Sequence, residues 1–194
     1  MCSSDLGAFY TWIKPPGISF VHILCIGAGA GGSSGLAWAT GVARVGGGAG
    51  GSGGMNNVFL PAYLVPDVIY ISVTAGGVGG ASTTSGTVYN SGTANASSTY
   101  VGFYPVQAAA YSLCTANPGG APSNNVGGNP GSSANSTFFP YSQVGLRTYN
   151  GGQGGGSGQS TIQPTAITAT YRTTGGGGGA GSSAVNAVFS GSLI

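Results

Sequence analysis

The chain has 194 residues, 41 of them glycine, and only 3% are charged, leaving a formal net charge of +2. Aromatic residues at 10% and a mean hydropathy of +0.23 exclude both the charged, aromatic-poor composition of a disordered chain and the polar composition of a flexible Gly/Ser linker. The four cations (Lys14, Arg44, Arg147, Arg172) are scattered, which excludes the basic footprint of a nucleic-acid binder, and no apolar run reaches the roughly 18 residues of a membrane-spanning helix.

In chain order, Met1-Cys2-Ser3-Ser4-Asp5-Leu6 looks like the translation of a common sequencing adapter behind a start codon, so residues 1–6 are set apart as an expected artefact. Residues 7–194 read as a single glycine-rich β domain, with truncation at either end left open. Ala8 to Trp12 is strand-like, and Lys14-Pro15-Pro16-Gly17 is a turn. The near-continuous apolar run Ile18 to Ile26 predicts a strand covered on both faces. Val58 to Leu64 predicts a strand that Pro61 confines to an edge, and Val68 to Thr74 (Val-Ile-Tyr-Ile-Ser-Val-Thr) predicts another. Residues 81–145 form a loop-rich middle, with short strands expected over Ser98 to Tyr104 and Tyr141 to Val144. Thr165 to Thr173 and Val185 to Phe189 complete the expected strands, and no segment carries a convincing amphipathic helix pattern.

Glycine doublets separate these strands and recur every third residue. Gly47-Gly48-Ala49, Gly50-Gly51-Ser52 and Gly53-Gly54-Met55 are consecutive triplets; Gly76-Gly77-Val78 and Gly79-Gly80-Ala81 follow after the fourth strand, and Gly151 to Gly158 and Gly175 to Gly181 are further tracts. A period of three belongs to neither helix nor strand but to the polyproline-II conformation. The expected fold is therefore all-β, a small β framework with polyglycine-II-like segments packed side by side. The third positions (Ala49, Ser52, Met55, Val78, Gln153) are expected to point outward or to fill the seams. Such a weakly charged body has little repulsion between copies, so self-association is expected.

The residues that carry chemistry are sparse. Gly27, Gly29 and Gly32 spell G-x-G-x-x-G after a strand, but no helix-forming stretch follows and no acid lies about 20 residues on, as a dinucleotide site requires. Outside the leader there is one acid, Asp67, and one histidine, His22, which reads as a core or edge residue of its strand. Neither a catalytic triad, nor a carboxylate pair, nor a zinc ligand set can be assembled, so no enzyme activity, metal or cofactor is expected. Cys25 reads as a buried, reduced thiol, with a Cys25–Cys114 bridge as the alternative. The sequons Asn95-Ala96-Ser97 and Asn135-Ser136-Thr137 carry no assigned role.

The candidate recognition residues are the aromatics set among turn residues: Tyr89, Tyr100, Phe103, Tyr104, Tyr111, Phe138, Phe139 and Tyr141. A surface of Tyr, Asn and Ser suits glycan or protein binding. The alternative is that these rings supply core that glycine tracts cannot.

Phe9-Tyr10-Thr11-Trp12-Ile13-Lys14-Pro15-Pro16-Gly17, the following strand, and Gly27-Ala28-Gly29-Ala30-Gly31-Gly32 together resemble the glycine-rich domain of bacteriophage tail fibre and minor tail proteins. Val68 to Thr74 running into Ala75 to Gly80 continues the resemblance, which covers residues 8–80; Leu36 to Val45 interrupts the family's clean glycine run. The resemblance implies a virion structural protein, a tail or head fibre or appendage component, acting as a host-receptor adhesin. It implies a homo-oligomer, often a trimer, in contact with other virion proteins and with a host surface glycan or protein. Two rival readings stand beside it: an ice-binding protein, for which Thr168 and Thr170 would form a face, and a cellular surface or matrix filament protein.

Overall fold

The computed structural model of the chain describes residues 9–35, 46–82, 90–123, 128–129, 131–134, 147–149, 181–182 and 188–189. The strands are β1 (Phe9–Ile13), β2 (Phe20–Ile26), β3 (Met55–Pro61), β4 (Val68–Ser72), β5 (Thr99–Gly102), β6 (Ser112–Ala116), β7 (Ser133–Ala134), β8 (Arg147–Tyr149), β9 (Gly181–Ser182) and β10 (Val188–Phe189). They build an antiparallel five-stranded sheet, β1-β4-β5-β6-β7, facing an antiparallel three-stranded sheet, β2-β3-β8, with β9 and β10 paired separately. Two 3-10 turns, Ala62–Leu64 and Ala109–Tyr111, are the helical elements among the described residues.

Alternation along β2 decides how the sheets meet. Val21, Ile23 and Cys25 point inward and Phe20, His22, Leu24 and Ile26 point outward. The inward set packs with Val58 and Leu60 of β3, Ile69 of β4, Val101 of β5, and Leu113, Cys114 and Ala116 of β6 to form one core. Burying each such aliphatic side chain contributes about 1.5–3 kcal/mol, so this small cluster anchors the framework.

From one end of this sandwich the chain runs on into glycine-rich segments. β2 continues into 27–34 and segment 46–54 returns into β3; β4 continues past Thr74 into 75–81 and 90–95 leads back towards β5; β6 continues into 117–122, and Gly131 and Ser132 precede β7. These segments are hydrogen-bonded to one another at every third residue. Gly27, Ala30 and Ser33 donate their amides to the carbonyls of Gly54, Gly51 and Gly48 at 2.8, 3.0 and 2.8 Å. One residue on, Gly31 and Ser34 donate to Thr93 and Asn90 at 2.9 and 2.8 Å; the remaining phase, Gly29 and Gly32, accepts from Gly77 and Gly80 at 2.9 and 2.8 Å. Segment 27–34 thus serves a different neighbour with each of its three residue phases. That is what a threefold backbone helix does and a pleated strand cannot. The 46–54 segment repeats the arrangement, donating from Gly51 and Gly54 to Gly120 and Asn117 and accepting from Gly128 and Gly131 at Ala49 and Ser52. This is polyglycine-II packing, and at about 3.1 Å per residue the first segment extends roughly 25 Å.

Close approach is the reason for glycine here. A Cβ on Gly47, Gly50 or Gly53 would overlap the carbonyls of Ser33, Ala30 and Gly27, again at a spacing of three, and one on Gly77 or Gly80 would overlap those of Thr93 and Asn90. Gly76 and Gly79 differ: the nearest atoms to such a Cβ are at 3.8 and 3.9 Å. The only left-handed glycine among the described residues is Gly17, at φ +79°, in the Pro-Pro-Gly turn.

Several expectations are refined. β2 is not covered on both faces; its outer face stays open, with Phe20 stacked on Phe59 at a centroid distance of 5.1 Å. The continuously buried strands are β5 and β6, in the middle of the five-stranded sheet. Pro61 does end β3, but β3 is the central strand of its sheet: β8 pairs only with Met55 to Asn57, far from the proline. The third triplet positions behave in both expected ways, since Ala49 and Ser52 fill seams while Val78 is 70% exposed. Tyr141 to Val144, Thr165 to Thr173, Gln153 and Leu36 to Val45 lie outside the described residues.

Candidate functional site

The glycine segments leave one end of the sandwich; the links β3–β4 and β5–β6 lie at the other. There they enclose an open cleft of about 600 Å³ lined by Leu64, Pro66, Phe103, Tyr104, Ala110 and Tyr111.

One wall is the 3-10 turn after β3. Pro61 has no amide to continue the ladder, so the chain leaves the sheet and turns over Ala62–Leu64. Lys14 clamps this turn. Its Nζ donates to the carbonyls of Ala62 (3.2 Å) and Val65 (2.8 Å) and pairs with the Asp67 carboxylate at 2.9 Å. The Ala62 amide donates in turn to the Ser19 carbonyl at 2.8 Å. Leu64 and Pro66 are thereby held against the cleft.

The other wall is built around the Tyr111 carbonyl. It accepts the Phe103 amide at 2.9 Å and the Tyr100 hydroxyl at 3.0 Å. Gly102 makes room for this: a Cβ there would overlap the Tyr100 hydroxyl and the Tyr111 carbonyl, at the position where the β5–β6 register shifts. Tyr104 and Tyr111 then meet edge to face, centroids 4.8 Å apart at 70°. Tyr104 is 54% exposed and Tyr111 44%, so their rings face solvent from a backbone that is fixed on both sides.

A smaller groove of about 190 Å³ lies nearby, lined by residues that include Ser98, Tyr100, Gln107 and Asn117. Its polar groups are engaged with one another: Gln107 Nε2 donates to the Ser98 carbonyl at 3.1 Å, and the Ser98 hydroxyl donates to Asn117 Oδ1 at 2.6 Å.

Of the sequence-predicted aromatics, Phe103, Tyr104 and Tyr111 come together in the cleft. Tyr100 is 1% exposed and lies in the core, where burial pushes its phenol above the ordinary value and it supports the cleft from behind. Tyr89, Phe138, Phe139 and Tyr141 lie outside the described residues. Leu64, Pro66 and Ala110 were not legible as lining; Pro61 and Pro66, bracketing one turn, were the available signal. His22 is exposed on β2, an edge strand, and bonds through Nε2 to Asn57 Oδ1 at 2.7 Å. Among the described residues no group of three or more His, Cys, Asp or Glu could hold a metal ion, and no helix is long and apolar enough to cross a membrane.

The cleft offers ring faces, hydroxyls and backbone rigidity. Those are the means of non-covalent binding, with stacking on aromatic faces and hydrogen bonds at the rim. No curated protein matches this chain. The family model of the glycine-rich domain matches residues 3–192, so the chain belongs to the glycine-rich domain family.

Proposed function

We propose that this protein is a virion structural component, part of a tail or head fibre or appendage. In this reading it assembles through its weakly charged, glycine-rich body and binds a host surface glycan or protein non-covalently. The observation that carries the reading is the gathering of Phe103, Tyr104 and Tyr111 in one cleft at the end of the sandwich opposite the glycine bundle. A bundle of hydrogen-bonded backbones is a stiff, chemically inert support, and a cleft of exposed rings at its far end is placed to meet a surface. The resemblance of residues 8–80 to phage fibre and minor tail proteins supplies the particle. The protein would act as a homo-oligomer, a trimer on the resemblance, alongside other virion proteins and outside the cell.

Two experiments test this. Mass spectrometry of purified virions should find peptides of this chain, and particles without them would refute the virion assignment. Adsorption of particles carrying Tyr104→Ala with Tyr111→Ala should fall at least tenfold with the particles intact; unchanged adsorption would refute the cleft as the recognition surface.

A further inference from the structure

Two thiols meet where the sheets face each other. Cys25 lies on β2 in the three-stranded sheet and Cys114 on β6 in the five-stranded sheet; they are 1% and 0% exposed, and both are free. The Cys25 thiol donates to the Cys114 carbonyl at 3.6 Å, and the Cys114 thiol donates to the carbonyl of Asn56, the residue paired with Cys25 across β2–β3. The neighbouring Cys114 side chain and the burial push the Cys25 thiol far above its ordinary value.

We propose that Cys25 and Cys114 are an oxidisable pair, closed into an inter-sheet disulfide by exchange with a low-molecular-weight disulfide such as oxidised glutathione. The first protein thiolate attacks the small disulfide and releases one thiol. The second protein thiolate displaces the remaining half and releases another. Two protein S–H bonds are oxidised, one S–S bond forms, and the small disulfide is reduced to two thiols. Each thiol already reaches across the seam between the sheets, Cys25 to the Cys114 carbonyl and Cys114 to the carbonyl of the residue paired with Cys25, so closing an S–S bond of about 2.0 Å need not alter the strand register. The bond would close a loop across 89 positions of sequence, long enough to restrict the unfolded chain strongly. Burial and the raised Cys25 value make the folded pair slow to react, since exchange needs an exposed thiolate. The bond therefore forms during folding or on opening of the sandwich, and once formed it is shielded from reductant. The chain would be laid down with free thiols in a reducing compartment and clasped after transfer to an oxidising one.

The test uses the full chain with Cys2→Ser, so that only this pair can react. The protein is unfolded, then refolded in an excess of oxidised over reduced glutathione. The expected result is loss of two hydrogens from the intact mass, a single Cys25–Cys114 peptide pair on non-reducing digestion, and a Tm higher by roughly 5–10 °C that reverts when the denatured protein is reduced. Adding Cys114→Ala should abolish both the mass change and the Tm gain. Two thiols still alkylatable in the refolded protein, a link between chains only, or a linked monomer with an unchanged or lower Tm would each overturn the proposal.

Discussion

Gly50 lies with its bare Cα against the carbonyl of Ala30, and the Ala30 amide reaches past it to the carbonyl of Gly51 at 3.0 Å. The contact and the hydrogen bond depend on each other. A side chain at 50 would force the segments apart and break the bond, and the relationship recurs three residues on in either direction.

Substitution should therefore sort the glycines by position. Gly50→Ala and Gly53→Ala insert a Cβ into backbone and are expected to destabilise the protein by about 3 kcal/mol or more each. Gly76→Ala and Gly79→Ala meet nothing closer than 3.8 Å and have no left-handed backbone to strain. They are expected to be neutral or to stabilise by about 0.4–1 kcal/mol through the unfolded chain. Urea unfolding of the four variants measures this; equal losses at all four positions would contradict it.

Period three in the doublets was legible because polyglycine-II exposes its phase in the sequence: glycine recurs where a neighbouring backbone closes in, and the third position carries a side chain, in a seam at Ser52 and in solvent at Val78. β2 and β4 were legible from β-branched runs. β6, Ser112–Ala116, was not, because Ser-Leu-Cys-Thr-Ala has no alternation when both of its faces are buried. The same ambiguity made β2 look covered on both faces, since Phe20, Leu24 and Ile26 are apolar yet point outward. The cleft was half legible. Its rings stood out among turn residues, but nothing local separates Tyr104, which is exposed, from Tyr100, which is buried. Only the bend at Gly102 does that.

Tyr100→Phe removes one of the two donors to the Tyr111 carbonyl. A loss of about 1 kcal/mol is expected, together with weaker binding at the cleft, because the Tyr111 wall loses a tether. Tyr104→Ala, at a ring 54% exposed, should leave stability within about 0.5 kcal/mol and act on binding alone. Thermal melts alongside adsorption separate the two effects; a large melt shift for Tyr104→Ala would sink the distinction.

Lys14→Met retains much of the stem but frees the carbonyls of Ala62 and Val65, so a loss of about 1–3 kcal/mol is expected. Asp67→Asn should lose less than about 1 kcal/mol, because the carboxylate is 86% exposed and its pairing is screened by water. If the two losses were equal, the ion pair rather than the carbonyl clamp would be holding the turn.

Stability should fall in alkali. The folded-state value of Cys25 is raised from 9.0 and that of Tyr100 from 10.0, so each favours the fold below its unfolded value and loses that contribution as pH rises beyond it. The decline should begin near pH 9 at about 1.4 kcal/mol per pH unit for Cys25. In Cys25→Ala the onset should move toward pH 10, where Tyr100 takes over. Melts between pH 8 and 11 that ran parallel for the two proteins would contradict this assignment.

The most direct test of the packing is scalar coupling measured across hydrogen bonds by NMR on the labelled chain. Couplings are expected from the Gly27, Ala30 and Ser33 amides to the Gly54, Gly51 and Gly48 carbonyls, and from Gly31 and Ser34 to Thr93 and Asn90. Residues one apart in a single segment would thus couple to different neighbours. Couplings from successive residues to one neighbour in a strand ladder, or none across these segments, would contradict a threefold glycine bundle.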